Sequence, residues 1–143
     1  RPLLGTANDF HPLLNNGVYR AGFATTQVAY QEAYRGVFAM LDDLEKRLAE
    51  GPLLFGAKVT EADIRLFVTL VRFDAAYHGL FKCNLRRLSE YPRLSAYLKR
   101  MLEIPGIRET VNIDHIKRGY YSIKSLNPNG IVPDGPDLGE LGL

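Results

Sequence analysis

The sequence predicts an all-α domain: a bundle of helices packed around one buried helix that starts at Thr60. Three observations carry that prediction. Apolar residues recur at three- and four-residue steps in several stretches, and Thr60-Glu61-Ala62-Asp63 has the form of a helix start. No stretch alternates apolar and polar residues in the manner of a sheet. With 143 residues the chain is the size of one domain and can bury a sizeable core. Hydrophobic residues make up 46% and charged residues 24%, the balance of an ordinary globular protein.

Residues 1–24 hold Pro2, Gly5, Pro12, Asn15-Asn16-Gly17 and Gly22. That density of turn formers predicts an irregular lead-in or short helical turns, packed on the body through Leu3, Leu4, Phe10, Leu13, Leu14, Val18 and Tyr19. Thr25 or Thr26 then caps a long helix running to about residue 50. Tyr34, Val37, Phe38, Leu41, Leu44 and Leu48 form its apolar stripe, and Gly51-Pro52 ends it. After a connector over 53–58, Thr60 and Asp63 make a capping box. Val59 before the cap and Ile64 at the fourth helical position suit a hydrophobic staple. The helix over 61–77 is apolar almost all round, which predicts a helix surrounded by others. Arg72 is an exception on it and calls for a carboxylate partner. A short helix is expected near residues 85–88. Pro92 opens the next helix, striped by Leu94, Tyr97, Leu98, Met101 and Leu102, and Pro105-Gly106 closes it. One or two short helices over 107–121 and an irregular tail over 122–143 complete the chain.

Several function classes are disfavoured. The net charge of +2 has no run of like charges behind it, and Arg86-Arg87, Arg93 and Lys99-Arg100 read as solvated helix faces, so no nucleic-acid partner is expected. There is no apolar run of membrane-spanning length and no signal-peptide pattern. The single cysteine fits a reducing compartment, and the expected location is cytoplasmic. The chain opens on Arg1-Pro2, which suggests a piece of something longer.

Candidate chemistry is sparse. His11, His78 and His115 lack partners at metal-ligand spacing, so no metal is expected. Cys83 has basic neighbours but no base or second cysteine beside it, and an inert buried thiol is the favoured reading. No phosphate loop or nucleophile elbow occurs. The eight tyrosines are more informative. Tyr19 and the Tyr120-Tyr121 pair stand outside the helix stripes. A phenol in a cleft can donate to a developing negative charge, or be a half-buried aromatic with a wet hydroxyl. The residues alone favour the second reading.

The chain as a whole resembles the C-terminal helical domain of the glutathionyl-hydroquinone reductases, the Xi class of glutathione transferases. The capping-box segment from Leu54 to Ile64 is shared with glutathione transferases at large. Asn15-Asn16-Gly17-Val18-Tyr19-Arg20-Ala21-Gly22-Phe23-Ala24-Thr25 and Asn127-Pro128-Asn129-Gly130-Ile131-Val132-Pro133 are specific to the class. Between them come Leu70-Val71-Arg72-Phe73-Asp74, Phe81-Lys82-Cys83-Asn84, Pro105-Gly106-Ile107 and Thr110-Val111-Asn112-Ile113-Asp114-His115-Ile116-Lys117, in the same order.

This resemblance implies glutathione as co-substrate, held mainly by an N-terminal thioredoxin-like domain that carries the catalytic cysteine. It implies a glutathionyl-hydroquinone or similar aromatic molecule as substrate, and a homodimer. The helical domain supplies the aromatic pocket, and its tyrosines, which bind the substrate and can assist proton transfer, fall on Tyr19 and Tyr120. His115 and Tyr121 are further substrate-binding candidates. Many members carry His in the place of Gly119, so a polar contact available to them is lacking here. No thioredoxin-like domain or Cys-Pro pair is present, so these 143 residues alone are expected to be inactive. Two alternatives stand beside this reading: a stand-alone helical interaction module, and part of a transferase forming thioether conjugates. The upstream reading frame and the identity of its nucleophile separate the three.

Overall fold

The structure is a computed structural model that describes residues 11–143. The packing expected of Leu3, Leu4 and Phe10 lies outside these residues, as does the His11 side chain. Five α-helices carry the fold: α1 (Asn16–Gly22), α2 (Gln27–Arg47), α3 (Glu61–Arg72), α4 (Pro92–Leu102) and α5 (Ile113–Tyr121). Among the described residues there is no strand, only an isolated bridge between Leu53 and Gly56. The all-α expectation holds.

The lead-in is more regular than its composition suggests. A π-helical turn at His11–Asn15 runs straight into α1. Gly17 and Gly22 lie inside this helix, and their role is close approach. A Cβ on Gly22 would overlap the Phe81 ring, and one on Gly17 would stand 3.0 Å from Val37 Cγ2. Leu14, Val18 and Ala21 are buried on the same side.

Helix α2 begins where a threonine cap was expected, and Thr26 is the one that acts: its hydroxyl accepts from the Ala29 N–H at 3.1 Å. Ala33, Val37, Phe38, Met40, Leu41 and Leu44 form its buried stripe. At α3 the capping box forms between Thr60 and Asp63. The Thr60 N–H donates to Asp63 Oδ2 at 2.9 Å. The same carboxylate accepts from the Leu54 N–H at 3.2 Å and the Tyr97 hydroxyl at 2.8 Å, so it ties the connector and α4 to the start of α3. Val59 and Ile64, the expected staple, stay 42% and 40% exposed.

The helix expected to end near residue 77 does continue that far, but its last turn, Phe73–Tyr77, is π-helical, with the His78 N–H reaching Phe73 O. Nor is α3 enclosed on all sides. Leu66, Phe67, Leu70 and Val71 are buried, while Glu61, Ile64, Arg65 and Val68 leave one stripe open. Among the described residues Arg72 finds no carboxylate; its guanidinium donates to Val68 O one turn back.

Residues 85–88 do not form the expected helix. The buried Asp74 carboxylate takes the N–H groups of Leu88 (2.6 Å) and Ser89 (3.3 Å), and the chain makes only a 3-10 turn at Leu88–Glu90. Pro92 is the first residue of α4, as expected. The N-terminus of α4 is capped from another helix, since Glu45 of α2 accepts from the N–H groups of Arg93 (3.0 Å) and Leu94 (2.9 Å). A 3-10 turn at Arg108–Thr110 precedes α5, where Asn112 caps the N–H of His115. The tail is irregular up to a 3-10 turn at Gly139–Leu141. Leu138 and Leu141 are buried beside α4, Arg108 donates to Gly142 O, and Lys117 donates to Asp134 O.

Candidate functional site

Three tyrosines from three elements meet at one point. Tyr19 projects from the open side of α1, Tyr77 from the π-helical turn after α3, and Tyr120 from the end of α5. The Tyr19 and Tyr120 hydroxyls are 2.5 Å apart, Tyr77 and Tyr120 2.9 Å, and Tyr19 and Tyr77 3.5 Å. Phe81 is the floor of the cluster. Its ring stacks on Tyr77 with centroids 5.2 Å apart and 14° between planes, and Tyr120 meets it edge-on at 5.8 Å. Gly22 lets α1 come down onto that floor.

The π-helical turn aims Tyr77 into the cluster, where its ring is 2% exposed; Tyr19, by contrast, keeps 41% of its surface exposed. Burial pushes the Tyr77 hydroxyl far up from the ordinary tyrosine range, with the hydrogen bonds to Tyr120 and Tyr19 adding to it. Tyr120 is pushed up to about 12, mainly by burial and then by the bond to Tyr19, while the Arg72 charge pulls the other way. Near neutral pH both phenols are therefore protonated, and each can donate as well as accept a hydrogen bond.

Two hollows meet at this point. The larger, of about 620 Å³, has apolar walls from Phe67, Val71, Val111, Ile116 and Ile123, with His115 and Asn112 at its polar edge. The smaller, of about 450 Å³, is bordered by Asn15, Asn16, Thr69, Tyr19 and Tyr77. Val68, Arg72 and Tyr120 line both. Arg72 forms no ion pair among the described residues, so its charge is available to a ligand. In the smaller hollow, the Asn15 amide donates to Arg65 O and the Thr69 hydroxyl. Its carbonyl oxygen is buried and meets no donor among the described residues.

Of the four tyrosine and histidine candidates, the structure brings Tyr19 and Tyr120 into direct contact and sets His115 at the rim of the larger hollow. Tyr121 turns elsewhere, its hydroxyl packed against Gly79, and lines neither hollow. Sequence reasoning missed Tyr77 and Phe81 and assigned Arg72 no site. The signal for Arg72 was present, as an arginine without a nearby carboxylate on the least polar helix. Cys83 is buried and its thiol is pushed up to about 12 by that burial, so it offers no thiolate near neutral pH. Among the described residues no cluster of His, Cys, Asp or Glu could hold a metal, and no helix is long and apolar enough to cross a membrane.

Comparison with known proteins agrees with this architecture. The glutathione S-transferase C-terminal domain family matches residues 27–100 of the 143. A glutathionyl-hydroquinone reductase, PcpF of Sphingobium chlorophenolicum, is 56% identical over 124 residues, which are 86% of this chain and 40% of that protein. The glutathione-bound structure of YqjG, a glutathione transferase homologue from Escherichia coli K-12, superposes with a TM-score of 0.89 at 49% identity, over 92% of this chain and 43% of that one. Glutathione transferase Xi from Phanerochaete chrysosporium gives 0.87 at 47% identity, over 91% and 43%. The chain thus spans less than half the length of the relatives it matches. With its helices in the same arrangement and more than half its residues matched, it belongs to the glutathione S-transferase C-terminal domain family.

Proposed function

We propose that this chain forms the aromatic-substrate side of a glutathione-dependent reductase that acts on glutathionyl-hydroquinones. The observation that carries the reading is Tyr120, hydrogen-bonded to Tyr19 and Tyr77, which lines the apolar cavity together with Arg72. An aromatic ring fits the apolar walls, and the hydroxyls and guanidinium sit where a ring oxygen would need donors. The similarity to PcpF supports the substrate class.

In the proposed reaction a cysteine thiolate, on a thioredoxin-like domain outside these residues, attacks the glutathionyl sulfur. A sulfur–sulfur bond forms and the ring-carbon–sulfur bond breaks. Its electron pair passes to the ring carbon, which takes a proton and leaves as hydroquinone. A second glutathione thiolate then resolves the mixed disulfide to oxidised glutathione. The part assigned to this chain is to bind the ring, stabilise negative charge on its oxygen through Arg72, and present a proton from Tyr120. Tyr77 holds Tyr120 in place as a positioning residue. On this reading the 143 residues alone lack turnover. The open stripe Ile64–Arg65–Val68, continuous with Arg72 at the cavity, is the face a preceding domain would cover. Homodimerisation belongs to the same proposal.

The test is turnover of glutathionyl-menadiol to oxidised glutathione by the chain joined to its thioredoxin-like domain. Tyr120→Phe is expected to lower kcat at least about tenfold with the fold intact. Absence of turnover with the active-site cysteine intact would sink the proposal.

A further inference from the structure

Most glycines in this chain have a structural reason. Gly56, Gly106, Gly130 and Gly142 have positive φ, while Gly17, Gly22 and Gly79 each face an atom that a Cβ would crowd. Gly119 has neither. It lies inside α5, its φ is outside the left-handed region, and a Cβ built on it would meet nothing within 4 Å. Glycine is among the poorest helix formers, so α5 would be firmer with almost any other residue there.

The position of Gly119 supplies the reason that the fold does not. Asn112, His115, Ile116, Gly119, Tyr120 and Ile123 fall on one helical face, with neighbours one turn apart separated by three or four residues, and all six line the larger cavity. Position 119 sits on that face one turn after His115 and one turn before Ile123. A side chain there would extend over the cavity, and its absence is cavity space.

We infer that Gly119 is a specificity-determining position: lacking a side chain, it opens the α5 side of the aromatic cavity to fused two-ring ligands. Single-ring ligands fit with or without a side chain at 119. The inference rests on the larger cavity being the aromatic-ligand site.

The experiment is an NMR shift titration of the chain with 1-naphthol and with phenol, followed at Val111, Ile116 and Ile123. Gly119→Leu is expected to weaken 1-naphthol binding about fivefold or more while phenol changes less than about twofold. Gly119→His should act in the same direction, and Gly119→Ala should raise the melting temperature while leaving both affinities close to those of the parent chain. Equal weakening of both ligands, or no change in either, overturns the inference and leaves the cavity reading standing. If neither ligand shifts these residues in the unsubstituted chain, the cavity reading fails and the inference fails with it.

Discussion

Helix α3 has a tyrosine hydroxyl network at each end, and the two are built on opposite terms. At its N-terminal end, Tyr97 is fully buried and donates to Asp63, a fully buried carboxylate that also accepts from two backbone N–H groups of different segments. At its C-terminal end, Tyr19, Tyr77 and Tyr120 bond among the described residues only to one another; Tyr19 is half-exposed at the smaller hollow and Tyr120 lines both hollows. The first network has an acceptor for each buried donor and no room for another molecule. The second is made of hydroxyls that can each donate or accept, with a guanidinium that has no carboxylate among the described residues and open space beside it. Satisfaction of buried polar groups marks the first as structural. Reorientable hydroxyls at a cavity suit the second to the binding role proposed for it.

The comparison breaks most visibly if the first network is cut. Asp63→Ala leaves the Leu54 and Thr60 N–H groups without their acceptor and the Tyr97 hydroxyl with only the 3.4 Å contact to the Asp63 carbonyl, and should cost about 3–5 kcal/mol, a large share of the stability of a domain this size. Urea denaturation followed by circular dichroism reads this directly, and a loss below about 1 kcal/mol would show the box to be dispensable. Tyr97→Phe removes one donor and keeps the carboxylate's other partners, so the expected loss is smaller, about 1.5–3 kcal/mol. The two substitutions share a partner and should not add in the double variant.

The contrast also separates what the sequence makes legible from what it does not. Thr60 and Asp63 stand three residues apart, and their pairing is a local matter that a reader of the sequence can see. The same holds for Pro92 at the head of α4 and for the stripe of α2. Features that failed depend on distant partners. Residues 85–88 look helical until Asp74, earlier in the chain, takes the N–H groups of Leu88 and Ser89. Gly17 and Gly22 look like turn formers because the rings and methyls they make room for come from α2 and Phe81. Tyr77 is only the end of the helix expected over 61–77; in the structure that end is a π-helical turn, invisible to a 3.6-residue period, and the Tyr77 hydroxyl lies 2.9 Å from that of Tyr120. Tyr19 and Tyr120 came forward through family resemblance, since the residues by themselves favoured half-buried aromatics.

Alkaline pH addresses both networks at once. Burial pushes Tyr77 and Tyr97 far above the ordinary tyrosine range and Tyr120 up to about 12. In the unfolded chain these phenols lose their protons near the usual value of about 10, while the folded chain holds them. The stability this contributes is complete below about pH 9 and is lost progressively as the pH rises from about 10 through 12. Melting temperature against pH, with tyrosinate absorbance measured in parallel, checks it. Tyr97→Phe should flatten part of the decline. Ionisation of all eight tyrosines near pH 10 in the still-folded chain would contradict the burial argument.

The smallest expected effect is the sharpest discriminator. Tyr19→Phe deletes a hydroxyl that lies 2.5 Å from Tyr120 and 3.5 Å from Tyr77, so contact distance alone predicts a loss comparable to Tyr97→Phe. Exposure predicts otherwise. Tyr19 is 41% exposed, water can replace its hydroxyl at Tyr120, and the ring keeps its packing on Phe81 at 5.3 Å. The expected change in stability is within about 0.5 kcal/mol, whereas ligand affinity at the cavity should fall, because Tyr120, which lines it, loses the hydroxyl partner that orients its own. A stability loss as large as that of Tyr97→Phe, with ligand binding untouched, would place the second network alongside the first as a purely structural device.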